Sequence, residues 1–279
     1  MTTASELAPE IHDRPQTTVR YELHGNVAAD LAEQLLTLHP PTSSRRFVCY
    51  PLPGTGRFAD LGREVELEVF GAVFGDTPAK LEAEYGPYDR ASRFFVVMDQ
   101  RRRRAAGVLR VIQNSAAGLK TLRDIAGPLG LPEAAVRARH GIGDLDRCWD
   151  VGTLAVRPEY RRSATRGRTV SLLLYRALYV HALRTGVEHF VTAMDRHAHR
   201  VLLTLGVPFV PVCDSGPFDY MGSPCTALYG HVPEFRARVE AHYRRLRTRH
   251  PLAWCLLSGP IRQLTRGNGL DGRLQPPVE

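Results

Sequence analysis

Between residues 157 and 169 the chain reads RPEYRRSATRGRT, a run in which cations, small hydroxyls and one glycine crowd together just ahead of an apolar helical pattern. The chemistry of that mixture is anion capture. Arg161, Arg162, Arg166 and Arg168 offer planar guanidinium forks that match phosphate oxygens, and Gly167 lets the backbone approach a ligand closely. The hydroxyls of Ser163, Thr165 and Thr169 can cap a helix or donate to a ligand. A helix that starts here adds unpaired N–H groups and a partial positive charge. A pyrophosphate fits such a turn; the competing reading is a solvated turn in an arginine-rich chain.

Two elements must hold this turn. Trp149 to Val156 is rich in apolar and β-branched residues and Pro158 ends it, which predicts a buried strand finishing near Arg157. Beyond the turn, Val170, Leu173, Leu174, Ala177, Leu178, Val180, His181 and Leu183 recur at helical spacing, so a helix lays its apolar face on a sheet. The succession of Asp150, Leu154, Val156, Pro158, Tyr160 and Arg161, then a glycine-bearing basic turn and an apolar helix, resembles the acyl-CoA-binding motif of the GNAT (N-acetyltransferase) superfamily. The resemblance implies that the backbone around Leu154, Ala155 and Val156 pairs with the pantetheine arm of coenzyme A. It implies also that the residues from Arg161 through Thr169 hold its pyrophosphate. This chain departs from the usual motif in that Gly167 arrives late, as if the turn were lengthened.

The 279 residues, 43% hydrophobic, suffice for one elaborated domain. No run of about 18 apolar residues occurs and the first residues lack a basic-then-apolar signal pattern, so a cytoplasmic protein without a membrane span is expected. Cys49, Cys148, Cys213, Cys225 and Cys255 are scattered and form no CxxC pair, which argues for reduced thiols and against a disulfide framework or a zinc site. The net charge of +8 suggests an anionic partner without choosing among nucleic acid, coenzyme A, a carrier protein and a membrane surface. With Lys80 and Lys120 as the only lysines, the excess is almost all arginine.

Along the chain, residues 1 to about 20 read as a loose tail, Val27 to Leu38 as a short helix, and Arg46 to Tyr50 as a strand stopped by Pro51 and Pro53. The GTG at 54–56 reads as a turn. Ala59 to Phe74 suits a helix able to line a substrate cleft, with a further short helix over Pro78 to Tyr85. Arg93 to Asp99 and Ala105 to Gln113 form a hairpin with Arg101 to Arg104 at its tip, a solvated tip rather than a nucleic-acid patch because no aromatic residue is interleaved. Short helices over Leu119 to Ala126 and Pro132 to His140 lead to the central strand. Then come a strand at Glu188 to Ala193, a helix N-capped by Asp195, strands at Pro208 to Val212 and Thr226 to Tyr229, and a helix from Pro233 to about Arg247. The last residues, from Gln263, read as loose. The fold class is thus α/β (α+β): a GNAT-like, mixed, mostly antiparallel central sheet with helices on both faces. The divisions are a tail and short helix (1–44), the acyltransferase domain (45–230), and a closing helix with a loose tail packed on it (231–279).

Two further runs, YGPYDRASRFFVVMDQ with GVLRVI and AMDRHAHRVLLTLGVPFVPV with YMG, resemble the corresponding stretches of acyl-homoserine-lactone synthases and N-acyl amino acid synthases, a branch of that fold. The resemblance implies an N-acyltransferase that moves an acyl group from acyl-CoA, or from an acyl carrier protein, to a small-molecule amine, with no metal. Where those synthases carry Glu, two residues and Arg, this chain has Asp150 and Thr153, so the arginine that would hold the amine is absent. Amide formation needs a base for the amine, stabilisation of the oxyanion and a proton for the thiol. Asp150 stands where several GNAT enzymes place a carboxylate base; a structural carboxylate paired with Arg147 is the other reading. Leu202 occupies the spacing of the usual acid tyrosine, leaving Tyr220 and Tyr175 as substitutes. His197 and His199 point to different faces of a helix and His181 packs; Cys148 and Cys225 read as inert thiols. Two rival functions remain: an acetyl-CoA-dependent small-molecule acetyltransferase, and a GNAT-like module that binds or regulates without chemistry.

Overall fold

The computed structural model describes Tyr21 and residues 25–161, 166–266 and 271–278. Helix α1 (Gly25–Leu38) leads to strand β1 (Phe47–Pro53), then α2 (Asp60–Phe74) and α3 (Pro78–Tyr85), the latter N-capped by Thr77 with Pro78 at its first position. The hairpin β2 (Ser92–Asp99) and β3 (Arg104–Ile112) follows, then α4 (Lys120–Ala126) and α5 (Glu133–His140). The centre is β4 (Cys148–Val156), the one-turn α6 (Pro158–Arg161), α7 (Arg166–Arg184) and β5 (His189–Asp195). Next come α8 (Arg196–Thr204), β6 (Val210–Pro211), β7 (Phe218–Tyr220), β8 (Ser223–His231), α9 (Val232–Arg249) and α10 (Pro251–Arg266).

Among the described residues eight strands form one sheet in the order β1-β2-β3-β4-β5-β8-β6, with β7 paired to β8. Every pairing is antiparallel except that of β4 with β5. Alternation along β2 shows the two layers: Phe95 and Val97 face the cluster under α7, α9 and α10, whereas Phe94, Val96 and Met98 face α1 and α2. A third cluster under α4 and α5 extends the second face. Gly107 on β3 sets how closely α7 lies: a Cβ there would come within 2.8 Å of Val170 and 3.0 Å of the Ala155 carbonyl.

Several expectations are corrected. β1 runs through Pro51 and Pro53, because as an edge strand it pairs on one side with β2 and does not need every amide there. The region after Gln263 is not loose throughout: α10 continues to Arg266 despite Gly259 and Pro260, held by its buried residues Ser258, Ile261, Leu264 and Thr265. Residues 274–278 then run along β1, with the amides of Gln275 and Val278 donating to the carbonyls of Cys49 and Pro51. The expected strand at Pro208 to Val212 shrinks to Val210–Pro211, since Val212 opens a single turn, and β7 was not anticipated. The tail over 1–20 lies outside the described residues.

Candidate functional site

The site begins with a parting of strands. β5 accompanies β4 only from Cys148–Asp150 opposite His189–Val191. Past that point the Thr192 hydroxyl donates to the Val151 carbonyl at 2.8 Å, and among the described residues the ladder neighbour of β4 from Gly152 to Val156 is β3 alone. A bulge makes Gly152 an extra residue, since Val151 pairs with Val111 and Thr153 with Arg110. The bulge resets the alternation. Asp150 and Thr153, three apart, thereby share the face that carries α2 and α4, while Trp149 and Val151 face α7.

Where the strands part, a cavity of about 200 Å³ opens, room for on the order of ten waters. Its lining comes from both faces of the sheet, which only a parting permits. On one side stand Phe70, Phe74, Tyr85, Thr153 and Tyr220; on the other are Tyr175 and Leu178 of α7, Leu202 of α8, Phe235 and Val239 of α9, and Leu264 of α10. The second side is almost wholly apolar. Apolar hollows with a few polar groups at one end are the usual form of small-molecule sites.

The polar end rests on a buried ion pair. Arg110 and Glu66 are fully enclosed, with Arg110 Nη2 2.6 Å and Nε 3.1 Å from the Glu66 carboxylate, and Tyr21 donates to the same carboxylate at 2.7 Å. The surrounding carboxylates hold the Arg110 guanidinium above its ordinary pKa against the opposing effect of burial. Thr153 donates its hydroxyl proton to Glu66 Oε1. With that proton committed, the lone pairs of a side chain that also lines the cavity are left as acceptors.

Asp150 is completely buried and is not among the lining residues. Its carboxylate accepts from the Thr121 amide and, at 2.8 Å, from the Thr121 hydroxyl, not from Arg147, which instead pairs with Glu188. Burial pushes its pKa up to about 7, even though both Thr121 hydrogen bonds and Lys120 favour the charged form. Tyr220 lines the cavity; its hydroxyl donates to Asp124 at 2.8 Å and accepts from Lys120 Nζ at 3.0 Å, and Lys120 also binds Glu84. Burial first, then the neighbouring Tyr85, Asp124 and Asp150, raise the phenol pKa well above its ordinary value, making Tyr220 a weak proton donor. Cys225 touches the cavity, and burial raises its thiol to about 11, so it stays protonated at neutral pH. Tyr175 is a lining residue, and His181 packs between Phe95 and Trp149.

No family model matches the chain, and no curated protein matches it in sequence. Solved structures do. The N-acyl amino acid synthase FeeM from uncultured soil microbes superposes with a TM-score of 0.52 at 18% identity, covering 70% of this chain and 95% of FeeM. The CoA-dependent acyl-homoserine lactone synthase BjaI gives 0.48 at 13% identity over 83% of this chain and 95% of its own. A putative N-acetyltransferase from Lactobacillus plantarum gives 0.45 at 16%, over 67% and 99%.

The fold is the GNAT type.

Within the GNAT fold, β4 is the strand expected from Leu154, Ala155 and Val156, and it does lie at the parting. The basic turn is changed from expectation. Arg161 closes α6, its Nε donating to the Val156 carbonyl; Arg162, with Ser163 and Thr165, lies outside the described residues. The long helix begins at Arg166, so Arg166, Gly167, Arg168 and Thr169 form its first turn, and Gly167 sits in the helix rather than in a loop. The turn is anchored from below: Arg157 is fully buried against Glu64 (2.7 Å) and Glu68, and the Tyr160 hydroxyl donates to Asp99 at 3.1 Å. The hairpin tip is a solvated one, with Arg103 against Glu33 and Arg104 against Glu68 and Glu159. Arg110 and Glu66 were not singled out in advance. A lone arginine inside GVLRVI was the available signal, and it stands directly across the ladder from Thr153, the position where an arginine was missed. Among the described residues no group of three or more His, Cys, Asp or Glu side chains could hold a metal, and no helix is long and apolar enough to cross a membrane.

Proposed function

We propose that this protein is an N-acyltransferase that takes an acyl group from acyl-CoA, or from an acyl carrier protein, and places it on a small-molecule amine. The observation that carries this reading is the cavity at the β4/β5 parting, with a polar end at Thr153 and Tyr220 and an apolar end between α7, α8, α9 and α10. A two-carbon acetyl group leaves such a space empty, so the shape favours a long acyl chain over the acetyl-CoA alternative.

In this reading the unpaired side of β4 from Gly152 to Val156 receives the pantetheine amides. The first turn of α7, whose sequence adds arginines at 166 and 168, receives the diphosphate. The amine enters at Thr153, whose hydroxyl lone pairs accept an N–H and aim the nitrogen at the thioester carbonyl carbon. A C–N bond forms, the carbonyl becomes an oxyanion, and its collapse breaks the C–S bond to release the thiolate. Asp150, poised near neutrality, takes the amine proton through a bridging water, because it has no atom at the cavity surface. Tyr220, its one proton given to Asp124, only shapes the polar end, and the thiolate takes its proton from solvent.

The test is thiol release by purified protein from acetyl-, octanoyl- and palmitoyl-CoA, each with a panel of amino acids and polyamines, with the product identified by mass. Amine-dependent release from the longer donors is the expected result. No release from any donor, together with no thermal shift on adding them, refutes the reading; at 100 times Kd a bound donor adds roughly 2.7 kcal/mol of stability.

A further inference from the structure

α10 carries an apolar stripe on the outside. Leu252, Cys255, Leu256 and Gly259 follow the i, i+3, i+4, i+7 spacing of one helix face and all are exposed, Leu252 by 83% and Leu256 by 71%. The opposite face, Ser258, Ile261, Leu264 and Thr265, is buried. Immediately before the stripe, α9 ends in Arg244, Arg245, Arg247 and Arg249, all exposed and, among the described residues, without an ion pair. From residue 241 to 270 the sequence contains no carboxylate. Two leucines therefore project from a segment whose only charged side chains are cationic.

We infer that this α9/α10 corner seats the protein on an anionic lipid surface, with Leu252 and Leu256 entering the headgroup–acyl boundary and the arginines meeting the lipid phosphates. Charge complementarity chooses the occupant. A second copy docked symmetrically through the same stripe would bring the same arginines face to face, with no acid in the segment to offset them. An anionic bilayer supplies both an apolar interior and the opposite charge. The position also bears on the acyltransferase reading, on which this clause rests: the two helices that meet at the corner carry Phe235, Val239 and Leu264 in the cavity wall farther along, Val239 and Leu264 about 15–18 Å from the corner at 1.5 Å per residue, so lipid seat and cavity share one helical hairpin.

The experiment is co-sedimentation with vesicles of phosphatidylglycerol and phosphatidylcholine (1:1) against pure phosphatidylcholine. The full-length protein is compared with Leu252→Ser/Leu256→Ser and Arg245→Gln/Arg249→Gln variants. Binding to the anionic vesicles is expected, weakened as salt rises from 50 to 500 mM. The leucine pair lowers the partition coefficient at least tenfold, and the arginine pair lowers it about 25-fold. Both variants keep the parent's thermal midpoint, because the replaced groups are exposed. Equal binding to neutral vesicles, binding that neither variant weakens, or wild-type protein left in the supernatant overturns the inference. If the wild type stays in the supernatant but elutes as a dimer that the leucine variant converts to monomer, the stripe belongs to self-association instead. Thiol release measured without vesicles separates the two readings: if acyl transfer is absent while anionic binding survives, the enzyme assignment falls and the lipid surface stands.

Discussion

Asp150 is the residue on which structure and chemistry can be tested together. The perturbation is Asp150→Asn, whose amide keeps the shape and can still accept from the Thr121 amide while donating to its hydroxyl. In the folded protein the carboxyl ionises near 7 rather than 3.8, chiefly because it is wholly buried. A raised pKa means that the folded state holds the proton more tightly than the unfolded chain does. The resulting stabilisation is fully present below pH about 4 and is lost as pH rises toward and through 7. Three pH units at about 1.4 kcal/mol each give at most about 4 kcal/mol. Urea denaturation of both proteins from pH 4 to 8.5 is the assay. The stability of Asp150→Asn relative to wild type should climb across that window and then level off. In parallel, wild-type kcat/KM for thiol release should rise with pH through a midpoint near 7, while the variant runs roughly 10²- to 10⁴-fold lower with no inflection there. A stability difference that stays constant from pH 4 to 8.5 refutes the buried, proton-holding carboxyl. An unchanged rate profile removes Asp150 from the chemistry.

Thr153→Val removes the acceptor aimed into the cavity and leaves Glu66 one donor short; KM for the amine should rise about tenfold and stability fall by about 1–2 kcal/mol, read by steady-state kinetics and urea midpoints. Arg110→Met strands the buried Glu66 carboxylate, so a loss of roughly 3–5 kcal/mol is expected in denaturant titration at pH 7. The loss should shrink in the double variant Glu66→Gln/Arg110→Met. Ala193→Phe puts a ring into the cavity wall. Palmitoyl-CoA turnover should drop at least tenfold while a short-chain donor is spared, a shift measured as a ratio of kcat/KM values.

What the sequence disclosed is what depends on neighbours along the chain. The strand ended by Pro158, the periodic helix after it, the arginine-tipped hairpin and the Asp195 cap all rest on spacings of a few residues, and each is present. Features that join distant positions were hidden. Thr153 meets Glu66 across 87 residues and Glu66 meets Arg110 across 44, so their alliance depends on register, and the Gly152 bulge that puts Asp150 and Thr153 on one face leaves no periodic trace. α10 escaped notice because Gly259 and Pro260 break the helical pattern locally, whereas packing of Ile261 and Leu264 outweighs that preference. The alternative reading, Asp150 paired with Arg147, fails because Arg147 sits in the single turn ahead of β4 and reaches across to Glu188 and the Gly186 carbonyl.

The segment 274–278 laid along β1 has a consequence for handling the protein. An outermost strand ordinarily exposes carbonyls and amides that recruit the edge of another molecule. Here Gln275 and Val278 occupy the outward carbonyls of Cys49 and Pro51, so the rim of the sheet is stoppered from within. Prying that plug loose, by proteolytic nicking ahead of it or by a bulky fusion that blocks its seat, would turn a guarded margin into a sticky one. Slow clumping of otherwise folded material would be the first symptom.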